Sequence, residues 1–69
     1  MITKRQQEVL CLMAVGSTAS DAGGILGISE LTVKQHLLMA RRKLKVKNTT
    51  AAVYKAVCLG IIPKLGEEP

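Results

Sequence analysis

Lys34, Gln35 and Leu38 stand at positions i, i+1 and i+4 of one segment. Their types match what the edges of base pairs offer. A lysine ammonium donates to guanine O6 and N7, a glutamine amide pairs with adenine N6 and N7, and an apolar side chain covers a thymine methyl group. Arg41, Arg42 and Lys45 follow in the same segment. They are types that neutralise phosphates, a contact that positions a protein without reading sequence. Ser17, Thr18, Ser29 and Thr32 lie at two expected helix starts, where hydroxyls and free amides bind phosphate oxygens. The expected chemistry is recognition of double-stranded DNA, with Lys34, Gln35 and Leu38 on bases. Ser17, Thr18, Ser29, Thr32, Arg41, Arg42 and Lys45 are then the phosphate contacts.

The charge distribution supports this expectation. The 69 residues carry 10 Lys+Arg against 5 Asp+Glu, a net charge of +5, and a pI near 9.6. From Leu31 to Gly66 there are eight basic residues and no acid. One element therefore concentrates a positive field, which suits a polyanionic partner. Other classes are excluded or demoted. No apolar stretch approaches the roughly 20 residues of a membrane span, so no membrane partner is expected. Lys4-Arg5 before an apolar run resembles a secretory leader, but Gln6-Gln7-Glu8 interrupts it. Cys11 and Cys58 form no CxxC pair and read as buried, reduced thiols of a cytoplasmic protein. His36 is the only histidine, and no metal set or nucleophile–base pair can be assembled around it. The chain is therefore expected to be no enzyme, to need no cofactor, and to hold no small-molecule site.

The elements that must position these residues are helices. Thr3 and Gln6 are spaced for a capping box. The helix that follows places Val9, Leu10, Leu12 and Met13 on one broad face and ends at Gly16. A short second helix runs from about Ala19 or Ser20 to Leu26. Gly23 and Gly24 inside it each cost about 1 kcal/mol relative to alanine, unless they permit a close approach. Gly27-Ile28-Ser29 is a turn with Ser29 as the next cap. In the third helix Val33, Leu37, Ala40 and Leu44 form an inward stripe. Lys34, Gln35, Leu38, Arg41, Arg42 and Lys45 take the other side. Asn48, Thr49 or Thr50 caps a fourth helix that stops at Gly60. The expected fold is an all-α, compact four-helix domain over residues 1–62 that contains a helix-turn-helix. Residues 63–69 read as a flexible tail.

In the fourth helix Val53, Val57 and Ile61 read as core. Ala52, Tyr54, Ala56, Cys58 and Leu59 then leave more apolar surface than a small monomer buries, which points to a homodimer through this helix.

Six segments in register carry a resemblance: Ile2-Thr3-Lys4-Arg5 with Glu8-Val9-Leu10, Ala14-Val15-Gly16, Leu26-Gly27-Ile28-Ser29, Thr32-Val33-Lys34-Gln35-His36, Lys43-Leu44-Lys45-Val46-Lys47-Asn48, and Gly60-Ile61-Ile62. Together they resemble the LuxR-type (GerE-like) helix-turn-helix pattern over residues 2–62. The resemblance implies the DNA-binding domain of a bacterial transcription regulator, with the third helix on DNA and the fourth commonly at a dimer interface. Ile25 to Ser29 and Ala40 to Leu44 look more like its quorum-sensing branch than its response-regulator branch. The chain departs from the pattern at Gln6 (often Glu), at Gly23 and Gly24 (usually Ala-rich), at Leu38 (often polar), at Lys45 (often Gly) and at Thr49 (commonly Arg). Lys45 either takes a strained left-handed conformation or lets the helix run on. The competing reading is a protein-interaction module that binds another regulator or RNA polymerase with little DNA readout. Leu38, Thr49 and the glycines favour it.

Overall fold

Four helices form among the described residues, each where a side chain can occupy the orphan amides of its first turn. The computed structural model describes residues 1–63. Its elements are α1 (Lys4–Ala14), α2 (Ala19–Leu26), α3 (Glu30–Leu44) and α4 (Thr49–Cys58), with no strand among the described residues. Thr3 and Gln6 close the expected capping box, with reciprocal bonds of 3.1 Å. Thr18 and Asp21 close a second box at the start of α2. The Ser29 hydroxyl accepts from the Thr32 amide at 3.0 Å. Of the three candidate caps for α4, Asn48 is the one used, accepting from the Ala51 amide at 2.8 Å.

The four helices also end alike. After each, a residue turns into the left-handed region: Gly16, Gly27, Lys45 and Gly60, at φ of 92°, 72°, 60° and 75°. The next amide then reaches back five residues, from Ser17 to Leu12, Ile28 to Gly23, Val46 to Arg41 and Ile61 to Ala56, at 2.8 to 3.0 Å. This closure satisfies carbonyls that a helix end otherwise leaves orphaned. Of the two outcomes expected at Lys45, the left-handed one occurs, and α3 stops there.

The core is aliphatic and small-residued. Val9 and Leu10 of α1, Ala22 of α2, and Val33, Leu37, Ala40 and Leu44 of α3 are buried with Ala52, Ala56 and Ile62. α3 packs against the other three helices, and so does α1, while α2 and α4 stand apart on either side. Two expectations for α4 are corrected here. Ala52 and Ala56, expected on an outer dimer face, are fully buried, because their small side chains let α4 approach α1 and α3 closely. Val53, Val57 and Ile61, expected as core, only flank it, and Ile62 closes it instead. Gly23 explains its own presence. A Cβ there would stand 2.6 Å from the Ile28 carbonyl oxygen, whereas Gly24 has open space. The helix-turn-helix turn folds back onto Gly23. The residues expected as a flexible tail lie outside the described ones, except exposed Pro63.

Candidate nucleic-acid interface

α3 carries two stripes of identical spacing. Val33, Leu37, Ala40 and Leu44 are buried, and Leu31, Gln35, Leu38 and Arg42 are exposed. Both run i, i+4, i+7, i+11. At about 100° per residue, the two-residue offset turns the second stripe to nearly the opposite side of the helix. The inward stripe fixes the roll of α3, so the outward one is presented by the core itself. Gln35 and Leu38 lie on this outward stripe, as expected. Lys34 lies on its flank, where its ammonium meets the Glu30 carboxylate at 3.1 Å with both side chains largely in solvent. Such an exposed pair is worth only about 0.2–1 kcal/mol and yields readily to a phosphate or a base.

Sequence reading missed Leu31. It is 66% exposed, more than Leu38 at 38%, and sits in the first turn of α3. The signal was present: counting back seven residues from Leu38 reaches it.

The hydroxyl residues are only partly free. The Thr18 hydroxyl is engaged as a cap. Ser29 Oγ caps α3 and also lies 2.8 Å from Thr32 Oγ1. Those two hydroxyls share one hydrogen between them and keep one to donate outward. Ser17 is half-buried and uses its amide to close α1. The starts of α2 and α3 thus present amides, and each adds a hydroxyl hydrogen, that of Thr18 at α2 and one from the Ser29–Thr32 pair at α3.

The basic run divides by role. Lys43 Nζ donates to the Met1 carbonyl at 2.7 Å and to Gln6 Oε1 at 3.0 Å. Gln6 is 3% exposed, and its amide oxygen also takes the Thr3 amide. Lys55 Nζ donates to the Leu44 carbonyl at 2.8 Å, a cation on the negative end of α3. Both lysines bind main chain. Arg41 is half-buried, and its Nε is buried without a partner. Arg42, Lys45 and Lys47 are exposed. No acid among the described residues pairs with Arg41, Arg42, Lys45 or Lys47. The cationic end of α3 is therefore unneutralised by those residues.

On α4 and at its C-cap, Tyr54, Cys58 and Leu59 are exposed, with Tyr54 at 71% and Leu59 at 60%. They remain of the five residues expected at a dimer face. The exposure of Cys58 also corrects the expectation of two buried thiols. Cys11 is half-buried between α1 and its neighbours. Burial, and then the Glu8 carboxylate, pushes its thiol above the ordinary range. His36 is half-buried within α3. No helix among the described residues is long and apolar enough to cross a membrane.

Known proteins share this arrangement. The family described as "Bacterial regulatory proteins, luxR family" matches residues 1–56. The HTH-type quorum sensing-dependent transcriptional regulator RpaR of Rhodopseudomonas palustris is 51% identical over 61 residues, covering 88% of this chain and 25% of that protein. The transcriptional activator protein SolR of Ralstonia solanacearum is 44% identical over 62 residues, covering 90% and 26%. The transcriptional activator protein LuxR of Aliivibrio fischeri is 39% identical over 61 residues, covering 88% and 24%. The chain thus spans about a quarter of the length of these curated relatives. The solved structure of the transcription factor GerE superposes with a TM-score of 0.86 at 30% identity, over 88% of this chain and 91% of that one. With its buried and exposed stripes on one helix and its turn closed on Gly23, the chain belongs to the LuxR family of bacterial regulatory proteins, as a helix-turn-helix domain of a transcription regulator.

Proposed function

We propose that this domain binds double-stranded DNA sequence-specifically, as the effector end of a quorum-sensing-type transcription regulator acting in the cytoplasm. α3 enters the major groove, which admits one helix. Lys34, Gln35 and Leu38 meet base edges. Arg41, Arg42 and Lys45 meet phosphates, and the first turns of α2 and α3, with Ser17, Thr18, Ser29 and Thr32, grip the backbone. The observation that carries this reading is the outward stripe of α3, which stands opposite the core and runs into an unneutralised cationic end. Tyr54, Cys58 and Leu59 supply a homodimer contact through α4, so that two copies meet two half-sites. This reading uses no cofactor, no small molecule within the chain, and no chemistry on the DNA.

The test is selection from a random duplex library at about 150 mM salt, where phosphate contacts alone bind weakly. Enrichment of a site with two related half-sites is the expected result. Salt-sensitive binding of any duplex, with no enriched site, would remove specific readout. It would move binding of RNA polymerase or another regulator to the front. Sedimentation of the DNA complex showing one copy per site would remove the dimer.

A further inference from the structure

We propose that Leu31 and Leu38 are a pair of methyl readers, which makes the preferred DNA one with thymines on two base pairs of each half-site. This rests on the DNA-binding reading above and adds a residue and a ligand chemistry to it. An exposed leucine in the first turn of a surface helix usually needs no explanation. Leu31 does, because of what surrounds it. It lies on the line of Gln35, Leu38 and Arg42, at the end of α3 that enters a major groove first. Lys34 stands beside that line, and Arg42 and Lys45 stand further along. An apolar contact beside the Glu30–Lys34 pair, on a line that ends in Arg42, unpaired among the described residues, fits a polyanion that also offers apolar spots. The thymine C5-methyl is the apolar group in the major groove. Two leucines seven residues apart are separated by about 10.5 Å along the axis. That is too far for one methyl to serve both, and it spans at most about three base steps of 3.4 Å, fewer as α3 inclines with the groove. Gln35 between them reads the intervening pairs. A polar residue at either position would read a hydrogen-bonding edge instead, so the two leucines shift specificity from donors and acceptors toward methyl groups.

Deoxyuridine keeps every hydrogen-bonding edge of thymidine and lacks only the methyl, which makes it the probe. Each thymine of the selected site is replaced in turn, and Kd is measured for the wild type, Leu31→Ala and Leu38→Ala. Uracil at either of two different base pairs, at most about three steps apart in each half-site, is expected to weaken wild-type binding about fourfold, the value of one buried methyl. Leu31→Ala erases the effect at one position and leaves the other, and Leu38→Ala does the reverse. Circular dichroism keeps folding separate, since alanine at an exposed helical position retains the helix. A selected site that tolerates uracil everywhere, or lacks thymines at this spacing, would overturn the methyl reading while leaving sequence-specific binding intact. So would a Leu31→Ala variant with unchanged affinity and unchanged uracil sensitivity, which would turn Leu31 toward a protein. No selected site at all would overturn both readings.

Discussion

Gly23 and Gly24 are chemically identical neighbours with opposite consequences. Gly23→Ala drives a Cβ to 2.6 Å from the Ile28 carbonyl oxygen, a main-chain atom that can yield only by moving the turn. We expect a loss of about 2 kcal/mol or more, in the range of overpacking. Gly24→Ala meets nothing and gains about 0.4–1 kcal/mol by reducing the freedom of the unfolded chain. Urea denaturation of the two variants beside the wild type checks both signs. The sequence showed two costly glycines, and which one was necessary depended on a carbonyl five residues away. Lys45 poses the converse case, a residue with a Cβ at φ 60°. Relief of about 1–2 kcal/mol of left-handed strain outweighs the added entropy of glycine. Lys45→Gly should therefore melt higher by several degrees. It should also bind every duplex more weakly, with a salt slope smaller by about one ion if Lys45 meets a phosphate. A higher melting point with an unchanged salt slope would assign Lys45 to the helix end alone.

At the scale of the element, α3 was the most legible part of the chain. Its buried stripe follows helical spacing, Ser29 marks its start, and the basic residues sit where the sequence put them. The roles within the basic run were not legible. Lys43 and Lys55 differ from Arg42 and Lys45 only in which carbonyl their stems can reach across the fold, and periodicity carries no such information. The Glu30–Lys34 pair gives α3 a built-in competitor for DNA. Glu30→Gln removes a negative charge from the groove-facing end and releases Lys34. We expect affinity for all duplexes to rise about two- to fivefold, the scale of an exposed pair. Arg42→Ala should weaken all sequences alike, and Lys34→Ala should change the preferred base. Titrations against the selected site and a scrambled duplex separate the three outcomes. Enhanced discrimination, rather than enhanced affinity, in Glu30→Gln would mean that Glu30 itself contacts a base.

Across the described residues, four short helices close on one aliphatic core, with α1 and α3 each packed against the other three. The fold class was legible because each helix carries its own cap and stop. The inner face of α4 was not, because alanines score as apolar whether they line a core or a surface. Only the close approach of α4 to its neighbours decided for Ala52 and Ala56. The two thiols separate the inner and outer layers. The thiol of Cys11 titrates higher because of burial and Glu8, so less of it is thiolate at pH 8, and it is partly covered. Exposed Cys58 should react first with a disulfide reagent, with Cys11 following several-fold more slowly and catching up as pH rises or as urea unfolds the chain. Equal rates in the native protein would contradict the burial of Cys11. One last property concerns light. The chain has one tyrosine, no tryptophan and no phenylalanine, and that tyrosine stands 71% exposed on α4. Its ring stands in solvent with the Cys58 side chain beside it one turn on, so its emission reports on the outer face of α4 rather than on the core. It should respond when a second surface covers α4. In fluorescence, the molecule carries its single lamp on the outside, where a partner would cast a shadow.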